Sequence, residues 1–302
     1  MNILVTGGTV FASRYTAEYF AAKGHSVYVL NRGSKAQSTG VKLICADRHS
    51  LGSELRSLNL DAVIDVTSYN GTDVSDLLDG LGEFRDYILI SSSAVYPETL
   101  PQPFSEEQSV GPNSVWGAYG TNKIEAEEAL LKRVPDAYIL RPPYLYGPMN
   151  NLHRESFVFE CAENDRPFYL PGDGSQKLQF FHIGDMCRFI DLLLEKSPEQ
   201  HIFNVGEPEG VTIREWVEKC YAVLGKTPRF INVSKDVPQR SYFPFYAYEY
   251  MLDAAKMCSI MPELTPLSEG LTQSYEWFRN NRELIVRKPL FDYIDRELGD
   301  LK

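Results

Sequence analysis

The chain has 302 residues, 43% hydrophobic and 24% charged, a composition that excludes a disordered or fibrous protein and suits one large or two modest domains. Thirty Lys/Arg against 41 Asp/Glu leave a formal charge of −11, which argues against a surface made for nucleic-acid backbone or an anionic bilayer. The imbalance is uneven, because residues 1–60 hold seven Lys/Arg and only three Asp/Glu.

Cys45, Cys161, Cys187, Cys220 and Cys258 are widely spaced, with no Cys-x-x-Cys pair. The pattern predicts buried thiols in a reducing compartment, with neither a disulfide frame nor a metal site. Met1-Asn2-Ile3-Leu4-Val5-Thr6 enters a strand directly, without the basic start of a signal peptide. No apolar run approaches the ~18 residues of a membrane span. The expectation is a soluble, cytoplasmic chain with no membrane partner.

Short aliphatic and β-branched runs follow one another at Ile3–Thr6, Ser26–Leu30, Lys42–Cys45, Ala62–Val66, Tyr87–Ser91 and Tyr138–Leu140. They are separated by roughly helix-length stretches, which predicts strands of a parallel sheet covered on both faces and joined by right-handed crossovers. The fold class is therefore α/β, doubly wound, over residues 1–148. After Gly147-Pro148 the alternation loosens. Asp185–Leu194 predicts a helix and Ile202–Val205 a strand, so 178–205 is expected to return to the first domain. Residues 149–177 and 206–302 are expected to form a smaller mixed domain that binds substrate. Thr212 and Glu215 have capping-box spacing at the head of a helix over 212–224.

Thr6-Gly7-Gly8-Thr9-Val10-Phe11-Ala12-Ser13 follows the first strand and opens a helix. A dinucleotide pyrophosphate binds at such a place, on backbone N–H groups at a helix N-terminus; the alternative is a plain tight turn. Val10 and Ser13 stand where the usual three-glycine spacing has glycine. Valine there either crowds the phosphates or packs under the loop. Gly7, Gly8, Thr9, Val10 and Phe11 are the loop candidates. Arg32, after the second strand, suits a 2′-phosphate and tilts the choice between NAD and NADP toward NADP; alternatively it is a solvated loop arginine. Asp47 and Arg48 either face an adenine edge or are turn residues. Thr67, past the fourth strand, completes the cofactor candidates.

Tyr119 and Lys123 are four apart, on one face of any helix they share. A cation there lowers a phenol's pKa from its reference near 10, making Tyr119 a candidate general acid/base. Ser91-Ser92-Ser93 ends the fifth predicted strand, at the edge where α/β sheets bind ligands.

These segments resemble, in order, an extended short-chain dehydrogenase/reductase of the NAD-dependent epimerase/dehydratase family. Further matches are Leu140-Arg141-Pro142-Pro143-Tyr144-Leu145-Tyr146-Gly147-Pro148, Pro171-Gly172-Asp173-Gly174-Ser175-Gln176, Phe181-His182-Ile183-Gly184-Asp185, Phe203-Asn204-Val205-Gly206, Leu267–Leu271 and Trp277. The resemblance implies a Rossmann domain holding NAD or NADP and a catalytic set of Ser92, Tyr119 and Lys123, with Lys123 also on the nicotinamide ribose. It implies a homodimer built through the Tyr119 helix, and transient oxidation of a sugar by hydride transfer. Ser93, Tyr144, Gln179 and Arg240 are the substrate-side candidates, and His182 is expected to be structural.

Two departures separate the chain from nucleotide-sugar members. Leu178 occupies the position at which those members often carry a diphosphate-clamping Arg, and Tyr144 replaces their Asn. The Leu178-Gln179-Phe180 pattern and Phe243-Pro244-Phe245 resemble a divergent branch that includes chloroplast stem-loop RNA-binding proteins. The expected activity is an NAD(P)-dependent epimerase or dehydratase acting on a sugar nucleotide. The alternatives are an NADP-dependent reductase of another small carbonyl or hydroxyl substrate and a non-catalytic RNA binder. The complete Ser/Tyr/Lys set and the missing basic stripe favour an enzyme.

Overall fold

A computed structural model describes residues 1–234 and 236–301. Seven parallel strands form one sheet: β1 (Asn2–Thr6), β2 (Ser26–Asn31), β3 (Val41–Cys45), β4 (Leu60–Asp65), β5 (Phe84–Ile90), β6 (Tyr138–Arg141) and, after a long excursion, Ile202–Asn204. The spatial order is β3-β2-β1-β4-β5-β6, with Ile202–Asn204 paired parallel to β6 at the far edge. Alternate residues of each strand feed opposite layers. Ile3 and Val5 pack with Ala17 and Phe20 of α1 (Phe11–Ala22). Leu4 packs with Leu77 of α2 (Gly71–Gly80) and Leu130 of α3 (Ala118–Arg133). Strands buried on both faces explain the near-continuous apolar runs. The chain leaves β1 toward β2 and then jumps back to β4, so the carboxyl ends of β1 and β4 border the switch-point crevice.

Helix α2 has little signal in the sequence because glycines bracket it. The Asn70 side chain accepts from Asp73 N at 2.9 Å and caps it, and the burial of Val74, Leu77 and Leu78 holds it in place. Cys45 corrects the expectation of buried thiols: β3 is the sheet's edge strand, and Cys45 is exposed. Among the described residues, no helix is long and apolar enough to cross a membrane.

Most of the remaining chain forms a second core, while its segments 183–194, 202–205 and 254–261 pack into the first. β7 (Tyr144–Tyr146) leads to α4 (Glu155–Glu163), β8 (Phe168–Pro171), β9 (Lys177–Leu178) and β10 (Phe180–His182). Next come α5 (Ile183–Lys196), β11 (the returning Ile202–Asn204), β12 (Val211–Thr212), α6 (Ile213–Val223), β13 (Phe230–Val233), α7 (Ala255–Ile260), α8 (Leu267–Asn280) and α9 (Leu290–Tyr293). Of three two-stranded pairs, β7–β10 and β8–β13 carry aromatic side chains into this core and β9–β12 carries none. Trp216 stacks on Phe180 with centroids 5.6 Å apart. Thr212 and Glu215 form the capping box at the head of α6. Helix α5 packs back against α1 under the main sheet.

Candidate active site

The glycine loop lies between β1 and α1. Gly7 and Gly8 have φ of +89° and +82°, and a Cβ on Gly8 would come within 2.5 Å of Val29 Cγ1, so both backbone conformation and space require glycine there. The Asn31 side chain clamps the loop by donating to Gly7 O at 2.7 Å. Gly8, Thr9, Val10 and Phe11 offer N–H groups that bond to no other residue among those described, and no side chain caps α1. This is the donor set that a pyrophosphate takes at a helix N-terminus, so the residues present fit a dinucleotide. Val10, at φ −139°, ψ 136°, is ordinary extended chain, and the loop's unusual torsion falls on Phe11, at φ +34°.

A cleft of about 320 Å³ runs from this loop along the strand ends, lined by Gly7, Asn31, Arg32, Asp47, Arg48 and Thr67. The loop and the three cations and acids named from sequence thus share one crevice. Arg32 is exposed at its rim. Asp47 accepts from His49 N at 3.0 Å as a turn cap. Arg48 reaches across to the end of β4, donating to Thr67 Oγ1 at 2.6 Å and to Ser68 Oγ, with Asp65 at 3.8 Å. Sequence reasoning overlooked Asp65. Fully buried, it accepts from Thr6 Oγ1 and Tyr87 OH, both at 2.7 Å, and Thr6 Oγ1 accepts from Val66 N and Thr67 N. That network fastens β4 to β1 at the crevice floor. A lone acid closing an apolar strand was its only signal.

Tyr119 is the second residue of α3. A Cβ on Gly120 would lie 2.4 Å from Ala94 O, so the first turn of α3 rests directly on the Ser93–Val95 turn that follows β5. This approach sets the Ser92 hydroxyl, which accepts from Ala94 N at 3.2 Å, beside the Tyr119 phenol. Although 42% of Tyr119 is exposed, desolvation at its hydroxyl end raises its pKa above 10, against the opposing influence of the Ser92 hydroxyl and the Arg154 charge. That corrects the expected lowering by Lys123. Lys123 is buried, and its ammonium donates to Ser68 O at 2.7 Å and Ile90 O at 2.9 Å. Burial pulls its own pKa down to about 8.

Behind these residues lies an ion pair the sequence did not reveal. Arg141 donates to Glu127 through Nε at 3.0 Å and Nη2 at 2.6 Å. Its Nη1 donates to Tyr96 OH at 2.8 Å, which donates in turn to Asn204 Oδ1. Ser91 Oγ donates to Glu127. All are buried, and they join α3, β5, β6 and β11 directly under the Ser92–Tyr119 contact.

On the substrate side, Ser93 interacts with the Tyr250 phenol, and Tyr144 stands among Trp116, Phe245 and Tyr250. Arg240 lies over the Tyr246 ring at 4.4 Å. Gln179 differs from expectation. It is 1% exposed, its Nε2 donates to Glu207 O and Leu252 O, and its Oε1 accepts from Leu252 N. A side chain so fully committed to backbone is a brace, with no group left for a ligand. His182 is buried with an unpartnered ring, and desolvation lowers its pKa to about 4, so it is neutral at pH 7. A further cleft of about 770 Å³ is lined by Pro171, Gln176, Gln239, Tyr242 and Glu249.

A doubly wound sheet with a glycine loop at its switch point and a serine–tyrosine pair at the end of the fifth strand defines a nucleotide-dependent oxidoreductase fold. The profile of the NAD dependent epimerase/dehydratase family matches residues 3–206, and the chain belongs to that family. It is 26% identical over 300 residues to the chloroplast stem-loop binding protein of 41 kDa b of Arabidopsis thaliana, covering 91% of this chain and 78% of that one. It is 26% identical over 230 residues to the probable GDP-L-fucose synthase 1 of Oryza sativa subsp. japonica, covering 70% and 67%. Among solved structures, the dTDP-glucose 4,6-dehydratase of Bacillus anthracis in complex with NAD superposes with a TM-score of 0.73 at 20% identity, covering 96% and 99%.

Proposed function

We propose that the chain is an NAD(P)-dependent epimerase or dehydratase acting on a sugar nucleotide, with residues 1–148 and 178–205 holding the cofactor and the rest holding substrate. The observation that carries the reading is the close seating of α3 on the Ser93–Val95 turn, which sets Ser92 beside Tyr119, across the strand ends from the free N–H groups of the glycine loop. When bound, the nicotinamide dinucleotide supplies a hydride acceptor and donor. The N–H groups of Gly8 to Phe11 hold its pyrophosphate, and the Arg32–Arg48–Thr67 crevice holds its adenosine end. Ser92 Oγ orients a substrate oxygen. Tyr119, protonated at neutral pH because its pKa lies above 10, gives its proton to that oxygen or takes one back, and Lys123 charges the floor of the site from below.

The finer reading is that Arg32 selects NADP, because a guanidinium pairs bidentately with a 2′-phosphate. Titrating NAD and NADP into the wild type and Arg32→Ala tests this, and equal affinities in the wild type would refute it. Five free thiols support a reducing, cytoplasmic location, and the family resemblance supports a homodimer. Native mass spectrometry of the purified protein reads both the co-purified dinucleotide and the subunit number. Turnover of UDP-, dTDP- or GDP-sugars, lost in Tyr119→Phe, tests the activity.

The similarity to a stem-loop binding protein over 91% of the chain favours RNA binding as the second reading. A net charge of −11 opposes it, because few phosphates can be neutralised. Nanomolar binding to one stem-loop that survives 200 mM salt would promote it over catalysis.

A further inference from the structure

One buried acid serves two cations that face opposite ends of the site. Asp65 closes β4, and no part of it reaches the surface. Its Oδ1 accepts from Thr6 Oγ1 at 2.7 Å and from Ser68 N at 3.2 Å, and its Oδ2 accepts from Tyr87 OH at 2.7 Å and from Ser68 Oγ. These donors fill the lone-pair directions of a carboxylate, so the acid is held in one orientation and the Thr67–Ser68 turn is fixed to it. Ser68, equally buried, reaches both ways. Its hydroxyl accepts from Arg48 Nη1 on the cofactor side, where Arg48 lines the crevice and stands 3.8 Å from Asp65. Its carbonyl accepts from the Lys123 ammonium at 2.7 Å on the side of Tyr119. Both cations are therefore held by one residue, with Asp65 behind it.

The other acids around Lys123 are committed elsewhere. Glu127, one turn further along α3, is paired through both oxygens with Arg141. Asp73 of α2 accepts from Tyr69 N at 2.7 Å and stands 3.4 Å from His49 Nε2. The Tyr69 ring covers the ammonium at 5.1 Å. Burial lowers the Lys123 pKa to about 8; among the charges, Asp65 opposes this most, ahead of Glu127 and Asp73, and Arg48 adds to the lowering. Charges removed from water are screened little by solvent or salt, so a change at Arg48 is felt at Lys123.

We propose that Asp65 and Ser68 couple the two ends of the crevice, so that an anion drawn against Arg48 at the adenosine end stabilises the charged form of Lys123 beside Tyr119. A phosphate there offsets the Arg48 charge and leaves the field of Asp65 to Lys123. The coupling is reciprocal: the ammonium favours the anion, and the neutral amine weakens it. Asp65 and Ser68 are positioning residues, acting through the two cations. The consequence for turnover rests on the catalytic reading of Lys123 above.

The test follows Lys123 itself, by NMR titration of protein with ¹³C-labelled lysine side chains, Lys123→Met assigning the resonance. The probes are ADP and 2′,5′-ADP, neither of which carries a nicotinamide half. Saturating probe should raise the wild-type midpoint by about half a unit or more. Arg48→Met should raise it without probe and abolish the probe's effect, and Ser68→Ala should shrink that effect. Asp65→Asn should lower the midpoint by about one unit or more. In calorimetry, wild-type affinity for the probes should fall severalfold as pH rises through the midpoint, and Lys123→Met should flatten that fall. A midpoint unmoved by bound probe and unmoved in Arg48→Met would overturn the coupling, whether or not Asp65→Asn folds. If neither probe binds, the dinucleotide reading falls and Arg48→Met decides the coupling. Midpoints that move as stated beside a kcat/KM limb that does not follow them would uphold the coupling and sink the catalytic reading of Lys123. A limb at the Lys123 midpoint, with that midpoint unmoved by probe or by Arg48→Met, would do the opposite.

Discussion

Lys123 follows Tyr119 by one helical turn, yet its ammonium is spent on the carbonyls of Ser68 and Ile90, with the Tyr69 ring 5.1 Å away on its open side. The pair shares a helix face, as the spacing requires. Which way the cation points is decided by β4 and β5, whose ends supply better acceptors than a neutral phenol.

Burial holds the Lys123 pKa near 8, so its charge is present below that pH and fades above it. If the ammonium is needed for turnover, kcat/KM on a confirmed substrate should fall above about pH 8, and Lys123→Met should lose that limb along with ~10²-fold of activity. A wild-type profile that stays flat through pH 9 would show that the charge is not used.

Gly120→Ala should separate Ser92 from Tyr119. The new methyl would meet Ala94 O at 2.4 Å, and backbone yields only by moving α3 off the Ser93–Val95 turn. Overpacking of this kind costs ~1–3 kcal/mol. Activity should drop more than tenfold, while cofactor affinity, set at the other end of the crevice, changes little. Full activity in a folded Gly120→Ala protein would show that the close approach is dispensable.

The buried Glu127–Arg141 pair predicts asymmetric mutational costs. Removing one partner leaves a buried charge alone, at ~3–5 kcal/mol. Arg141→Met or Glu127→Gln should therefore lower the denaturation midpoint sharply, whereas Glu127→Gln combined with Arg141→Met should recover much of the loss. Additive losses in the double variant, measured by chemical denaturation, would mean that the two side chains are not coupled.

Glu207 predicts a pH-dependent difference. Desolvation, aided by the Asp185 charge, raises its pKa to about 7. Between its unfolded value near 4.5 and about 7, the folded state therefore holds a proton that the unfolded state has released. Stability due to this group falls as pH rises through that window. Glu207→Gln should gain stability over the wild type progressively from pH 4.5 to 7, levelling off at ~1–3 kcal/mol. A difference between the two proteins that does not vary with pH would place the ionised carboxylate in the native state.

The six N-terminal strands, the glycine loop, the Tyr119–Lys123 spacing and the capping box of α6 were legible in the linear chain. Each is a local property: apolar run length, a turn that needs positive φ, or a spacing of four on a helix. Helix α2 was hidden by its flanking glycines, and Gln179 looked like a ligand contact until Leu252 and Glu207 occupied its amide. Asp65, Glu127 and Arg141 gave no signal of their partners, because a charged residue reads alike in the linear chain whether it is solvated or paired in the core. Periodicity and turn chemistry by themselves determined a doubly wound sheet with a run of serines and a Tyr119–Lys123 helix face at its strand ends. Tertiary structure alone decided which cations are balanced: Lys123 bound by carbonyls, Arg141 paired, Arg154 and Arg240 left free over aromatic rings. The physical reason is that electrostatic partnership depends on distance through space and on desolvation, which no spacing along the chain encodes.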